Sequence, residues 1–422
     1  MSALRYTPLN LGRWFLWGGT AIVFALAPLV FTRGFALTLM TQMGTMIIFA
    51  LSYNMLLGQG GMLSFGHAVY SGLGAYFAVH ALNLAGQGAL PLPVTLLPLV
   101  GGIAGAFFGV LFGYVTTKRA GTTFALISLG IGEMVFACVL MFPGFFGGEG
   151  GISTNRVVGA PFLGVSYGPA IQVYYLVASW CLVCMAAMYA LTQTPLGRMA
   201  NAVRDNPERA EFVGYDTQKV RFLQLVLSGF FAGVAGALAC INFEIVSAEN
   251  VSAIRSGGVL LATFIGGVPF FFGPIIGAVV FVFFVVALSG FTKAWLLYLG
   301  LFFLVMVLYA PGGIASLILM QIPVIRAGRW RELILPYLGA AAAALCALAG
   351  LVGVVEMVYH LSDTTLESKM ALAGIAFDAR SGAAWTVSLA LLGAGLAAIH
   401  AASRRVGSRW SAIQQDIPGA RR

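Results

Sequence analysis

Charge is what this 422-residue chain has least of. Only 9% of its residues are Asp, Glu, Lys or Arg, where a soluble domain carries about 25%. Hydrophobic residues make up 60%, and apolar runs near twenty residues recur along the whole length. That excludes a soluble globule and gives the signature of membrane helices. Lysine is scarce too. Lys118, Lys219, Lys293 and Lys369 are followed by Arg, Val, Ala and Met. A phosphate-binding loop needs G-x-x-x-x-G-K-[ST], where amides and the lysine cradle the phosphates. No lysine here fits, so any ATP is hydrolysed elsewhere. His67, His80, His360 and His400 are scattered, and no H-E-x-x-H occurs. Metal-site or membrane-enzyme chemistry therefore has no motif to rest on. The five cysteines (Cys138, Cys181, Cys184, Cys240 and Cys346) all fall in apolar runs. The C-x-x-C of Cys181 and Cys184 lies inside a predicted span, where packing is expected rather than redox or zinc chemistry.

What is present is an all-α, polytopic membrane protein. Spans are predicted at 14–31, 36–57, 66–84, 93–115, 121–142, 170–191, 222–242, 257–268, 273–290, 294–318, 333–357 and 383–402. The first run, Trp14 to Phe31, lacks a convincing small-residue cleavage site and reads as a span, not a removable leader. The eighth is too short to cross at 1.5 Å per residue, which leaves open a crossing or a half-helix in a re-entrant hairpin. With a cytoplasmic N-terminus and all twelve crossing, 17 of the 23 Lys and Arg residues fall inside, among them Arg5, Arg421 and Arg422. Arg33, Arg156, Arg255, Lys293, Lys369 and Arg380 fall outside. That asymmetry predicts both termini in the cytoplasm. The net charge of +9 follows from these short loops and is not a nucleic-acid footprint.

One stretch breaks the apolar pattern. Residues 58–76, GQGGMLSFGHAVYSGLGAY, hold six glycines along with Gln59, Ser64 and His67. Non-helical backbone at membrane depth is tolerated only when buried in protein or lining a wet cavity. Two readings follow: tight helix packing with satisfied polar caps, or the wall of a translocation path. GGMLSFG (60–66) is echoed by GGVPFFFG (266–273), as expected if the chain holds an internal repeat with matching interrupted helices. Glu133, in LISLGIGEMVF, is the one acid deep in a predicted span. It marks either a functional site or a structural hydrogen bond. A proton-coupled carrier would need more such groups; Glu244 and Glu356 lie at span ends.

The segment 192–221, TQTPLGRMANAVRDNPERAEFVGYDTQKVR, predicts two short amphipathic helices. Pro195 starts the first, with Met199, Ala202 and Val203 on one face. Pro207 forces a break, and the second ends at Gly214. Such an element either lies on anionic lipid or docks a cytoplasmic partner. Residues 143–169 form a glycine-rich external loop, and residues 323–422 differ in character, with two further spans and a basic tail.

Together these motifs resemble the LivM-type membrane subunit of bacterial branched-chain amino-acid ABC importers. The resemblance covers roughly residues 36–318. It rests on Tyr53-Asn54-Met55-Leu56-Leu57-Gly58 with Gly61, Ser64, Gly66, His67 and Ala68, and on Gly147, Gly148, Gly151 and Ile152 in the external loop. It rests also on Gly197, Arg198, Ala202, Arg204, Asn206, Ala210 and Gly214, and on Gly266, Gly267, Gly273, Pro274, Gly277 and Ala278. The run YAPGGI (309–314) fits the family's close. Pro269 and Glu149 depart from the pattern, at a usual glycine and a usual small polar residue.

The resemblance implies an N-terminal segment and first transmembrane helix (1–35), a permease core of about ten membrane segments (36–320) with its coupling loop (192–221), and a two-helix C-terminal extension (321–422). It implies a bacterial inner-membrane permease subunit, not an enzyme. Its partners would be a second homologous permease, two cytoplasmic ATPase subunits and a periplasmic solute-binding protein, with lipid around it. ATP and Mg would be held by the ATPases, and this chain would carry no cofactor. Relatives serve branched-chain amino acids, urea, amides and small organic acids. Gly197, Arg198, Arg204, Asn206, Ala210 and Gly214 become the expected coupling residues. Asn54, Gln59, Ser64, His67 and Glu133 become the expected path residues. The rivals are a stand-alone secondary transporter or channel, and a non-transporting structural subunit.

Overall fold

The computed structural model describes residues 11–158, 165–362, 369–372 and 375–416. Arg5, Arg421 and Arg422 of the charge count, and part of the glycine-rich external loop, lie outside these residues. The chain divides into two compact units. One comprises 1–287 and 303–315, the other 288–302 and 316–422.

In the first unit the helices are α1 (Leu11–Val30), α2 (Gly34–Asn54), α3 (Ala68–Gly86), α4 (Leu97–Thr116), α5 (Gly121–Met141) and the single turn α6 (Pro143–Phe146). Then follow β1 (Ile152–Ser153), α7 (Ala170–Gln193), α8 (Pro195–Asp205), α9 (Pro207–Phe212), α10 (Thr217–Phe243), β2 (Ile245–Val246), α11 (Ala253–Gly266) and α12 (Gly273–Val282). Helix α10 is the centre, with 83% of its apolar window buried. Its small residues make this possible. A Cβ on Gly233 would run into the Gly101 carbonyl of α4, so the two backbones touch. Without a hydrophobic driving force in lipid, such close approach is what holds helices together. Cys181 and Cys184 are buried in α7 within the main core.

At the end of the bundle opposite α8, β1 and β2 pair antiparallel, Ile152 opposite Val246. The loop before β1 turns on Gly147, Gly148 and Gly151, all at positive φ. A Cβ on Gly151 would strike the Val246 carbonyl. Arg156 then pins the loop, donating to the carbonyls of Tyr167 (2.8 Å), Asn242 (3.3 Å) and Gly168 (3.2 Å). It also pairs with Glu244 at 3.9 Å.

Helices α13 (Trp295–Tyr309) and α14 (Gly313–Arg326) straddle the unit boundaries. The second unit continues with α15 (Arg331–Ser362), the hairpin strands β3 (Lys369–Leu372) and β4 (Ile375–Asp378), and α16 (Gly382–Asp416). α15 and α16 pack on each other through small residues: Gly350 faces Ser388 and Leu392, and Gly395 faces Ala347. Glu356 accepts from the hydroxyls of Thr292 (2.6 Å) and Tyr298 (3.0 Å), so this span-end acid is satisfied.

Among the described residues eight helices are long and apolar enough to cross a membrane, or nine if the bent pair α13–α14 is one span. The twelve segments of the sequence reading differ in identifiable places. Segment 294–318 is two helices bent by 46°, because Pro311 lacks an N–H and Gly313 turns at φ +69° against Gly267. α11 has 14 residues, about 21 Å at 1.5 Å each, and folds as a hairpin onto α12 through Gly266, Gly273 and Gly277. α3 has 19 residues but carries Tyr70, Ser71, Tyr76, His80 and Asn83, and it is mostly enclosed by protein.

Candidate functional site

The glycine-rich stretch is a true break. α2 widens into a π-helical turn at Met55–Gln59. Gly61 then reverses the chain at φ +64°, a conformation that side chains with a Cβ resist. The Met62 N–H bonds back to the Leu56 carbonyl at 2.9 Å. Residues 62–67 are not regular helix, and α3 opens at Ala68. The segment lies inside the bundle, so its backbone groups need partners. The Phe65 N–H donates to Ser128 Oγ of α5, and the Ala68 N–H to Ser256 Oγ of α11, both at 3.0 Å. From α10, Gln224 donates to the Met55 carbonyl and Ser228 to the Ser52 carbonyl, both at 2.6 Å. From α8, Arg204 Nη1 donates to the Gly58 carbonyl. Four helices thus supply the groups that the break removes from its own ladder.

Glycine is required where the segment meets α5: a Cβ on Gly66 would collide with the Ser128 carbonyl. The glycine-rich stretch also meets the second echo, since a Cβ on Gly58 would lie 2.6 Å from the Val268 carbonyl oxygen.

Asn54, Gln59, Ser64 and His67 gather at this break. Asn54 is 3% exposed, with its Oδ1 beside Gly58 and no hydrogen-bond partner. Ser64 is buried. His67 is wholly enclosed. Its Nε2 lies 3.0 Å from Ser52 Oγ. Its ring stacks on Phe49 at 5.5 Å and meets the rings of Tyr53 and Tyr70 edge-on. Gln59 is half-buried and lines a small cleft, of about 10 Å³, with Met55, Gln224, Gly197 and Ala200. Glu133 stands apart on the exposed side of α5, although its neighbour Gly132 packs on Gly66. Sequence reasoning missed Ser128, Gln224, Ser228 and Ser256. The available signal was a lone hydroxyl or amide inside an apolar run.

The expected coupling residues form a second cluster. Thr194 caps α8, accepting from the Gly197 N–H at 3.3 Å. Asn206 caps α9, accepting from the Arg209 N–H at 2.9 Å. Both prolines sit in first turns, where a missing N–H removes nothing. Gly214 closes the pair at φ +92°. The buried face of α8 is Gly197, Ala200 and Val203, while Ala202 is exposed. Of the predicted face, Val203 is in this cluster and Met199 packs against it, whereas Ala202 points out and Ala200 is buried in its place. Gly197 sets the angle, because it packs directly on the Leu191 and Thr192 backbone. Ala210 is buried against this face. Arg198, Asn206 and Gly214 are exposed, as are Phe212 (90%) and Val213 (70%). Asp216 caps α10 through the Lys219 N–H at 3.0 Å. That bond, with help from the Lys219 ammonium, holds its carboxyl below the usual range.

The two clusters touch at Arg204. Its stem lies over Gly61, where a Cβ would come within 2.8 Å of Cγ, and its guanidinium reaches Gly58. On its outer side it pairs with Asp205 at 2.8 Å.

Known proteins resemble this chain in sequence. Residues 35–310 match the family described as branched-chain amino acid transport system / permease component. The high-affinity branched-chain amino acid transport system permease protein LivM of Salmonella typhimurium is 28% identical over 315 residues, covering 69% of this chain and 73% of that protein. LivM of Escherichia coli is 27% identical with the same coverage. The fructose import permease protein FrcC of Rhizobium meliloti is 25% identical over 206 residues, covering 43% of this chain and 53% of that protein. No solved structure matches. The family match spans more than half of the chain and contains both clusters, so the chain belongs to the branched-chain amino acid transport system permease component family, as a non-enzymatic, multi-pass membrane subunit of an ABC importer.

Proposed function

We propose that this subunit pairs with a second homologous permease to carry a small solute, branched-chain amino acids or a related amino or organic acid, across the bacterial inner membrane. The charge asymmetry supports a cytoplasmic side for α8, α9 and both termini. Two ATPase subunits, holding ATP and Mg, dock below, one per permease. Exposed Phe212 and Val213, beside exposed Arg198 and Arg209, suit a protein partner. A periplasmic binding protein delivers the solute at the β1–β2 end.

The observation that carries this reading is the bond from Arg204 of α8 to the Gly58 carbonyl. It ties the docking element to the interrupted helix. Motion of α8 under ATPase closure then reaches the break as a rigid-body shift. Gln59, half-buried, and Glu133, exposed, contribute to the path. Asn54, Ser64 and His67 hold the break behind it.

The test is solute uptake into vesicles containing this chain, with and without its permease, ATPase and binding-protein partners. Uptake that needs the partners and ATP is expected. Gradient-driven uptake by the chain alone would instead establish a stand-alone carrier.

A further inference from the structure

Arg255 was expected in an external loop. It lies instead in the first turn of α11, its guanidinium carbon 6.0 Å from the centroid of the Phe49 ring. Phe49 comes ten residues before Gln59, about 15 Å in from the α8 end at 1.5 Å per residue. Along the 26-residue span Gly34–Gln59, Phe49 is thus well removed from both ends.

The Nε of Arg255 is enclosed and has no hydrogen-bond partner. Among the described residues no carboxylate lies within ion-pair distance of it, and Glu249 acts on it only at longer range. Its neighbours are engaged elsewhere. Ser252 Oγ accepts from the backbone N–H of Arg255, and Ser256 Oγ from that of Ala68. Arg156 makes the contrast, spending its guanidinium on three carbonyls and Glu244.

A guanidinium stays charged at any working pH and presents a rigid fork of donors that matches a carboxylate in bidentate fashion. Intramembrane charges face the protein interior or a water-filled cavity, and they mark solute pathways. The N-terminus of a short helix adds its positive dipole end toward an anionic group, and α11 is such a helix.

We propose that Arg255 is the contact for the carboxylate of the solute. The transported class is then small carboxylate-bearing molecules, amino acids or organic acids, and not neutral sugars. This rests on the permease reading and sharpens it, because the relatives include both a branched-chain amino acid permease and a fructose permease.

The experiment uses the complete importer in vesicles, with L-leucine, 4-methylpentanoate and D-fructose as probes. At least one carboxylate probe is expected to enter at least tenfold faster than D-fructose. Arg255→Met lowers that ratio about tenfold, and Arg255→Lys, which keeps the charge, retains most of it. Preferred entry of D-fructose, or an unchanged ratio in Arg255→Met, overturns the proposal. Uptake without ATP would defeat the importer reading while leaving this ratio readable. A second measurement is independent of the solute: a water-soluble thiosulfonate reagent labels Arg255→Cys in the intact complex above the wild-type background. Absence of labelling overturns the proposal, since a residue on the path must meet water.

Discussion

Arg204 is where the coupling reading is most exposed to refutation. Arg204→Met keeps the aliphatic stem that covers Gly61 and deletes the guanidinium that reaches the Gly58 carbonyl. A hydrogen bond to a charged group contributes about 1.5–3 kcal/mol. The side chain is 36% exposed, so solvent screening puts the loss near the lower end, about 1.5 kcal/mol. At about 1.4 kcal/mol per factor of ten, the coupling equilibrium shifts about tenfold. The assay is solute carried per ATP hydrolysed by the complete importer in vesicles. Hydrolysis continues, and uptake per ATP falls by about that factor. Asp205→Asn is the control. It removes only the exposed ion pair at 2.8 Å, a contact contributing about 0–1 kcal/mol, and it leaves coupling near wild type. Wild-type stoichiometry in Arg204→Met would refute the reasoning. So would an Asp205→Asn defect of equal size, because the surface pair and not the Gly58 contact would then carry the signal.

Three further outcomes are expected. His67→Ala opens a void among Phe49, Tyr53 and Tyr70 and lowers stability by about 2–4 kcal/mol, read by thermal unfolding of the purified subunit. Asn206→Ala removes the α9 cap, at about 1 kcal/mol. Binding of the ATPase to the purified permease pair weakens by about fivefold. The carboxyl of Asp216 titrates below its ordinary value, so its cap is present above the unfolded-state pKa of about 3.9 and is lost as pH falls through the depressed folded value. Protection of the Lys219 amide, taken relative to its intrinsic exchange rate at each pH, therefore falls in acid, and Asp216→Asn, an equally good cap, abolishes that loss of protection.

Much of this protein was decided by sequence-local physics. Apolar run length and scarce charge fix the membrane class, because each span must satisfy its own backbone. Pro195, Pro207 and Gly214 set the limits of α8 and α9, and Gly61 sets the break, because proline and glycine act within a few residues of themselves. Tertiary structure alone decided the rest. The partners of the broken helix come from 63 to 188 residues away, and no short-range pattern encodes which hydroxyl meets which carbonyl. On α8 the expected face holds at Met199 and Val203, but Ala200 takes the place expected for Ala202, because Gly197 docks on the end of α7, a contact that side-chain periodicity does not register. Arg255 read as a loop residue by composition. Its place beside Phe49 depends on where a 14-residue helix starts in depth, and that is fixed by the packing of α11 against α2 and α12.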